Sequence, residues 1–171
     1  GAVDELEQPL WISEDEYKWI MNDDQKEFFP KARTYFDKHS PGLLQDHQCI
    51  DLGGMVIEGI KTPGHTPGGM SFYNRTTKEM IVSDNFCPAV MVWRPLDQSL
   101  RQLNETAEKI KSMDVDCFWV GHDLRPMKGA LGSLWHKAAR LALDSENFTP
   151  ISGTDNVFIC CDEEWKKKIA G

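Results

Sequence analysis

Apolar positions recur with helical period in some stretches of this chain and with extended period in others, and the changes of period mark its elements. Leu10 to Ile12 is a short apolar run that reaches Ser13, and Ser13-Glu14-Asp15-Glu16 has the spacing of a capping box. A strand into Ile12 and a helix over 14–21 are therefore predicted. Phe28, Phe29, Ala32, Tyr35 and Phe36 fall at helical spacing across 24–38, where Pro30 either kinks the helix or marks its first turn, and Ser40-Pro41-Gly42 ends it. From Gln48 the period becomes extended. Residues 49–52 and 55–61 read as two strands about the tight turn Gly53-Gly54, and 70–73 and 79–83 as a second hairpin about a polar turn. Met80-Ile81-Val82 lacks polar alternation, as expected of a strand covered on both faces. Asp97 caps a predicted helix whose buried stripe is Leu100, Leu103, Ala107, Ile110 and Met113. A strand over 115–120, a loop over 121–129, a helix over 130–143, a strand over 157–160 and a terminal helix over 163–169 complete the reading. Antiparallel hairpins beside one helical crossover give an α/β class with sheets and helices in layers.

The chain has 171 residues, 40% of them apolar, which suits one domain over 1–171 with a core of its own. There is no internal repeat, low-complexity tract or linker that would divide it. A formal charge of −8 argues against a nucleic-acid backbone or an anionic membrane as the main partner, because both demand a positive face. The one basic run, Lys166 to Lys168, reads as a solvated helix face. No stretch reaches the roughly 20 apolar residues needed to span a bilayer. Five cysteines without CxxC spacing suggest neither a disulfide framework nor a zinc ribbon, and a reduced, cytoplasmic setting is expected. The chain begins Gly-Ala-Val, so its natural start is expected to lie upstream.

Three candidate metal ligands share one context: each lies just past the end of a predicted apolar strand. His65 lies in Thr62-Pro63-Gly64-His65-Thr66-Pro67-Gly68-Gly69, Asp84 follows Met80 to Ser83, and His122 follows Cys117 to Gly121. Strands lying in neighbouring sheets with the same ends up would bring these side chains to one rim. Imidazole and carboxylate are the donors preferred by zinc and non-haem iron. Prolines on both sides of His65 restrict the backbone while the glycines permit sharp turns, so the loop can hold an imidazole at a fixed angle. A lone histidine in a turn is more commonly a satisfied surface group, and on spacing alone both roles stand.

Thr-Pro-Gly-His65-Thr-Pro-Gly, then Ser83-Asp84, then Val-Gly-His122-Asp123 resembles the second, third and fourth metal motifs of the metallo-β-lactamase superfamily, in order and over roughly residues 48–125. The resemblance implies a four-layer αββα sandwich with a dinuclear metal site at one edge. It makes His65 a ligand of the first metal, Asp84 a bridge between both, and His122 a ligand of the second. It also implies a metal-bound hydroxide as the nucleophile, since a bound cation lowers the pKa of water to about 7. The metals would be two zinc ions, with iron as the alternative, and the substrate a small ester, thioester, lactone or related molecule.

The family's first motif, HxHxDH, has no counterpart here: His39 and His47 lack the companion Asp-His and read, like His136, as ordinary polar residues. The sandwich is therefore expected to be incomplete, its N-terminal part absent from the chain. With at most three family ligands, the 171 residues alone are expected to bind metal weakly and to lack hydrolase activity. They would also expose apolar sheet surface and associate with the missing part or with another copy. Asp123 reads either as a carboxylate that orients His122 or as a turn cap, and Trp93 either as a substrate wall or as core. Cys87, close after Asp84, reads as a buried inert thiol or as a group facing the metals. Two other functions fit the same residues: an iron-dependent oxidoreductase on this scaffold, and a non-catalytic binding module that has lost half its site.

Overall fold

The computed structural model describes residues 5–84, 90–93, 96–121, 126–128, 149–150 and 157–160. The chain opens with strand β1 (Trp11–Ser13) running into helix α1 (Glu14–Met21), whose N-cap is Ser13: its hydroxyl accepts the Glu16 N–H. Only half of the expected capping box forms, since the Glu16 carboxylate is turned toward the Gly68 N–H instead. Residues Asp23–Gln25 form a single 3₁₀ turn, and helix α2 spans Pro30–Lys38 with Pro30 in its first turn, where a missing N–H costs nothing. The continuous helix over 24–38 is thus shortened, and Pro30 is the reason. The Arg33 guanidinium donates to the Ile20 and Asn22 carbonyls at 3.0 and 2.8 Å, satisfying acceptors that the end of α1 leaves open. Ile20, Tyr35 and Phe36 form the centre of this N-terminal unit, and Leu10, Ile12 and Phe29 pack on it.

A strand that the sequence pattern did not announce, β2 (Gly42–Leu44), pairs in parallel with β1. The principal sheet follows: β3 (Cys49–Asp51), β4 (Val56–Lys61), β5 (Met70–Asn74), β6 (Glu79–Ser83), β8 (Cys117–Val120) and β9 (Met127–Lys128), hydrogen-bonded in that order. Between β6 and β8 come β7 (Val90–Trp93) and helix α3 (Leu96–Lys111), which begins one residue ahead of the cap expected at Asp97. Strand β7 belongs to a second sheet with β11 (Val157–Cys160) and β10 (Thr149–Pro150). The expected helices over 130–143 and 163–169 lie outside the described residues, as do His122, Asp123, Cys87 and His136.

Helix α3 packs its predicted stripe, Leu100, Leu103, Ala107 and Ile110, against Ile60, Tyr73, Met80, Val82, Phe118 and Val120 of the sheet. Each large aliphatic side chain so buried stabilises the fold by roughly 1.5–3 kcal/mol. The opposite face carries Phe72, Ile81 and Trp119, which pair directly across β5, β6 and β8 and therefore share a side of the sheet. Ile81 is 50% exposed, so β6 is not covered on both faces as its sequence suggested.

Direction matters most for the site. β4 is antiparallel to β5, β5 is antiparallel to β6, and β6 is parallel to β8. Strands β4, β6 and β8 therefore all run the same way, and the segments that follow them emerge at one edge of the sheet.

Candidate metal centre

His65 lies in the loop that follows β4, and three separate elements hold that loop. At its base the Thr62 N–H donates to the Gly69 carbonyl at 2.8 Å, while Gly64 and Gly69 both donate to the Thr66 carbonyl and wind the loop tightly. Helix α3 holds the entry. The Thr106 hydroxyl donates to the Pro63 carbonyl at 2.7 Å, and Gly64, at φ +146°, has its Cα so close to α3 that a Cβ would stand 2.7 Å from the Leu103 Cα. Strand β7 holds the histidine itself, through the Trp93 N–H to the His65 carbonyl and the His65 Nδ1 to the Met91 carbonyl at 2.9 Å. A carbonyl can only accept, so Nδ1 carries the proton and Nε2 keeps its lone pair. That is the tautomer a metal-binding imidazole needs.

The first turn of α1 holds the loop's exit. The Ser13 hydroxyl donates to the Gly68 carbonyl, and the Gly68 N–H donates to the Glu16 carboxylate at 3.0 Å. Burial pushes the Glu16 carboxyl above the ordinary carboxylate range, a rise that hydrogen bonds from Thr66 and Gly68 partly offset. The folded state then binds this proton more readily than the unfolded state, so stability falls as pH rises through the interval above the ordinary glutamate pKa. Melting temperature against pH for wild type and Glu16→Gln is expected to diverge there, wild type losing ground as pH increases. Parallel profiles contradict the direction of this shift.

Asp84 follows β6. Ser83 adopts φ +51°, and the β6–β8 register shifts between Ile81 and Ser83, so an irregular strand end re-aims the chain just before the carboxylate. The Gly121 N–H bonds the Ser83 carbonyl at 2.9 Å, which fixes the end of β8 beside Asp84. There is no room for a side chain at that point: a Cβ on Gly121 would meet Asp84 Oδ1 at 2.0 Å. Gly121→Ala is therefore expected to displace a flexible carboxylate while costing the fold only about 1–3 kcal/mol. With Asp84 as the metal ligand the sequence leads one to expect, hydrolytic activity should fall roughly 10–100-fold, as when a ligand loses its outer support. Wild-type turnover in a folded Gly121→Ala protein would show that the carboxylate's placement is immaterial.

His65 and Asp84 line one cleft of about 380 Å³, together with Glu16 and the aromatic rings of Trp11, Phe29 and Trp93. Trp93 is also packed edge-on against Trp19 and Phe28, so one ring both lines the cleft and packs on its aromatic neighbours. The neutral imidazole nitrogen and the carboxylate are donors of the type zinc and non-haem iron accept. Among the described residues no three His, Cys, Asp or Glu side chains gather. His122 lies outside those residues, although Gly121, its neighbour in sequence, is at the same edge. His39 stacks on Tyr35, and His47 donates to the buried Glu58, which Arg75 also pairs at 2.6 Å. Neither lines the cleft. Sequence reasoning missed the Met91 carbonyl, which has no side-chain signature, and it gave Glu16 only a capping role.

The family model of the metallo-β-lactamase superfamily matches residues 5–122, more than half of the chain. The chain belongs to that superfamily. This superfamily member is 28% identical over 109 residues to the glyoxylase B2 of Dictyostelium discoideum, a match covering 58% of the chain and 34% of that protein. Its structure resembles a metallo-β-lactamase family protein of Thermus thermophilus, with a TM-score of 0.58 at 15% identity over 80% of this chain and 52% of the other. A β-lactamase domain protein of Burkholderia ambifaria superposes with a TM-score of 0.57 at 17% identity, covering 78% and 45%. At these identities the structural likeness shows the metallo-β-lactamase fold alone. The chain spans about a third of the curated relative and about half of these solved structures. No helix among its described residues is long and apolar enough to cross a membrane.

Proposed function

We propose that these residues serve a metal-dependent hydrolase acting on a small ester, thioester, lactone or similar substrate, with zinc held by His65, Asp84 and His122. The observation that carries this reading is directional: β4, β6 and β8 run the same way, and the segments after the first two deliver an imidazole and a carboxylate to one cleft. Bound zinc polarises a carbonyl and lowers the pKa of water to about 7. The chain's own residues supply the rest. Met91 keeps the lone pair of His65 on Nε2, and Gly121 leaves space for the Asp84 carboxylate. Trp93, Phe29 and Trp11 form an apolar wall that takes the non-reacting part of the substrate and keeps bulk water from it.

The test is hydrolysis by the full-length protein of a panel containing a nitrophenyl ester, an acyl thioester and a lactone, before and after chelation. Turnover of at least one member, lost on chelation and restored by zinc, is expected. Turnover that survives complete metal removal contradicts the proposal. Absence of hydrolysis across the whole panel, with oxygen consumption that depends on added ferrous iron, would move the protein to the oxidoreductases.

A further inference from the structure

Gly68 has both main-chain polar groups bound by the first turn of α1: its carbonyl accepts from the Ser13 hydroxyl, and its N–H donates to Glu16. The Thr66 side chain also favours the ionised Glu16 carboxylate, so the influence of Glu16 reaches across Pro67 to the residue beside His65. The contact is close. A Cβ on Gly68 would lie 2.0 Å from the Glu16 backbone nitrogen, leaving no slack between helix and loop. Helix α3 and β7 restrain the loop at its other half, at Pro63 and His65. A carboxylate in the first turn of a helix is itself favoured by the unpaired N–H groups there, so the brace is anchored to a rigid body.

We propose that Glu16 is a positioning residue for His65, bracing the Thr66–Gly68 half of the loop so that the imidazole keeps its bond to the Met91 carbonyl and presents Nε2 to the cleft. The inference rests on the reading of His65 as a metal donor, but its geometry can be tested without metal. The measurement is the long-range ¹H–¹⁵N correlation of the His65 ring at about pH 8, with the signals assigned by their loss in His65→Gln.

Wild type should show one tautomer, with two well-separated ring nitrogens. In Glu16→Ala the two shifts should move toward each other as tautomers exchange. Glu16→Gln, which can still accept from Gly68, should restore the wild-type pattern. Should Glu16→Ala fail to fold, Thr66→Val removes only the hydroxyl and should shift the ring in the same direction by a smaller amount. Unchanged His65 shifts in a folded Glu16→Ala, or failure of Glu16→Gln to rescue, overturns the brace. Zinc added to wild type separates the two ideas. If zinc leaves His65 unmoved, the metal reading fails while the variant comparison still decides the brace. If zinc moves His65 and Glu16→Ala does not, the brace alone fails.

Discussion

Replacing His65 with alanine is expected to abolish the hydrolytic turnover of the full-length protein while leaving its fold intact. The loss should go well beyond the roughly 10–100-fold that removal of an outer-shell partner costs, because on the proposed function a donor to the metal itself disappears. The fold should survive because, among the described residues, the imidazole contributes one hydrogen bond outside its own loop, to the Met91 carbonyl, a bond of about 1 kcal/mol net. The loop's other anchors, Thr106 to Pro63, Ser13 to Gly68 and Gly68 to Glu16, involve no atom of the ring. Turnover and bound zinc should fall together, with an unchanged circular dichroism spectrum. A His65→Ala protein that retains wild-type turnover would remove this histidine from the site.

Gly68→Ala should have the largest effect on stability of any single methyl added to the loop. The new Cβ would lie 2.0 Å from the Glu16 nitrogen and 2.4 Å from its Cα, and backbone of a capped helix cannot swing aside as a side-chain tip can. Helix α1 and the His65 loop must separate, which puts the cost at the upper end of overpacking, about 3 kcal/mol or more. For a chain of this length that corresponds to a fall in Tm on the order of 6–12 °C. Activity should fall too, because the displaced segment carries His65. Gly53→Ala is the useful contrast. Gly53 sits at φ +79° with nothing within 4 Å of its missing Cβ, so the change costs only the backbone penalty, roughly 1–2 kcal/mol, and spares turnover. Equal melting temperatures for the two variants would contradict the contact between α1 and the loop.

These expectations show which parts of the molecule its sequence spells out. The stripe Leu100, Leu103, Ala107 and Ile110 repeats with helical period, and it is the face that α3 buries. The Pro-Gly loop around His65 was visible because proline and glycine announce backbone restriction by themselves. Strands β2 and β7 were not visible. Gly42–Leu44 and Val90–Trp93 are short, and their partners β1 and β11 are remote in sequence, so tertiary pairing and not local pattern makes them strands. Because β7 was missed, so was the carbonyl that fixes the tautomer of His65. The acidic run Glu14-Asp15-Glu16 hid its one inward-turning carboxylate for a similar reason: all three satisfy the helix N-terminus, and only packing on Gly68 singles out Glu16. The apolar run Met80-Ile81-Val82 suggested burial on both faces, yet β6 buries Met80 and Val82 and turns Ile81 outward, since side chains of a strand alternate whatever their chemistry.

The most direct test is a crystal structure of the zinc-loaded full-length protein with anomalous diffraction collected across the zinc edge. An anomalous peak is expected in the cleft within coordination distance, about 2.0–2.2 Å, of His65 Nε2 and an Asp84 carboxylate oxygen, with His122 completing that centre or its immediate neighbour. Zinc bound elsewhere on the molecule, with His65 and Asp84 both outside its coordination, would contradict it.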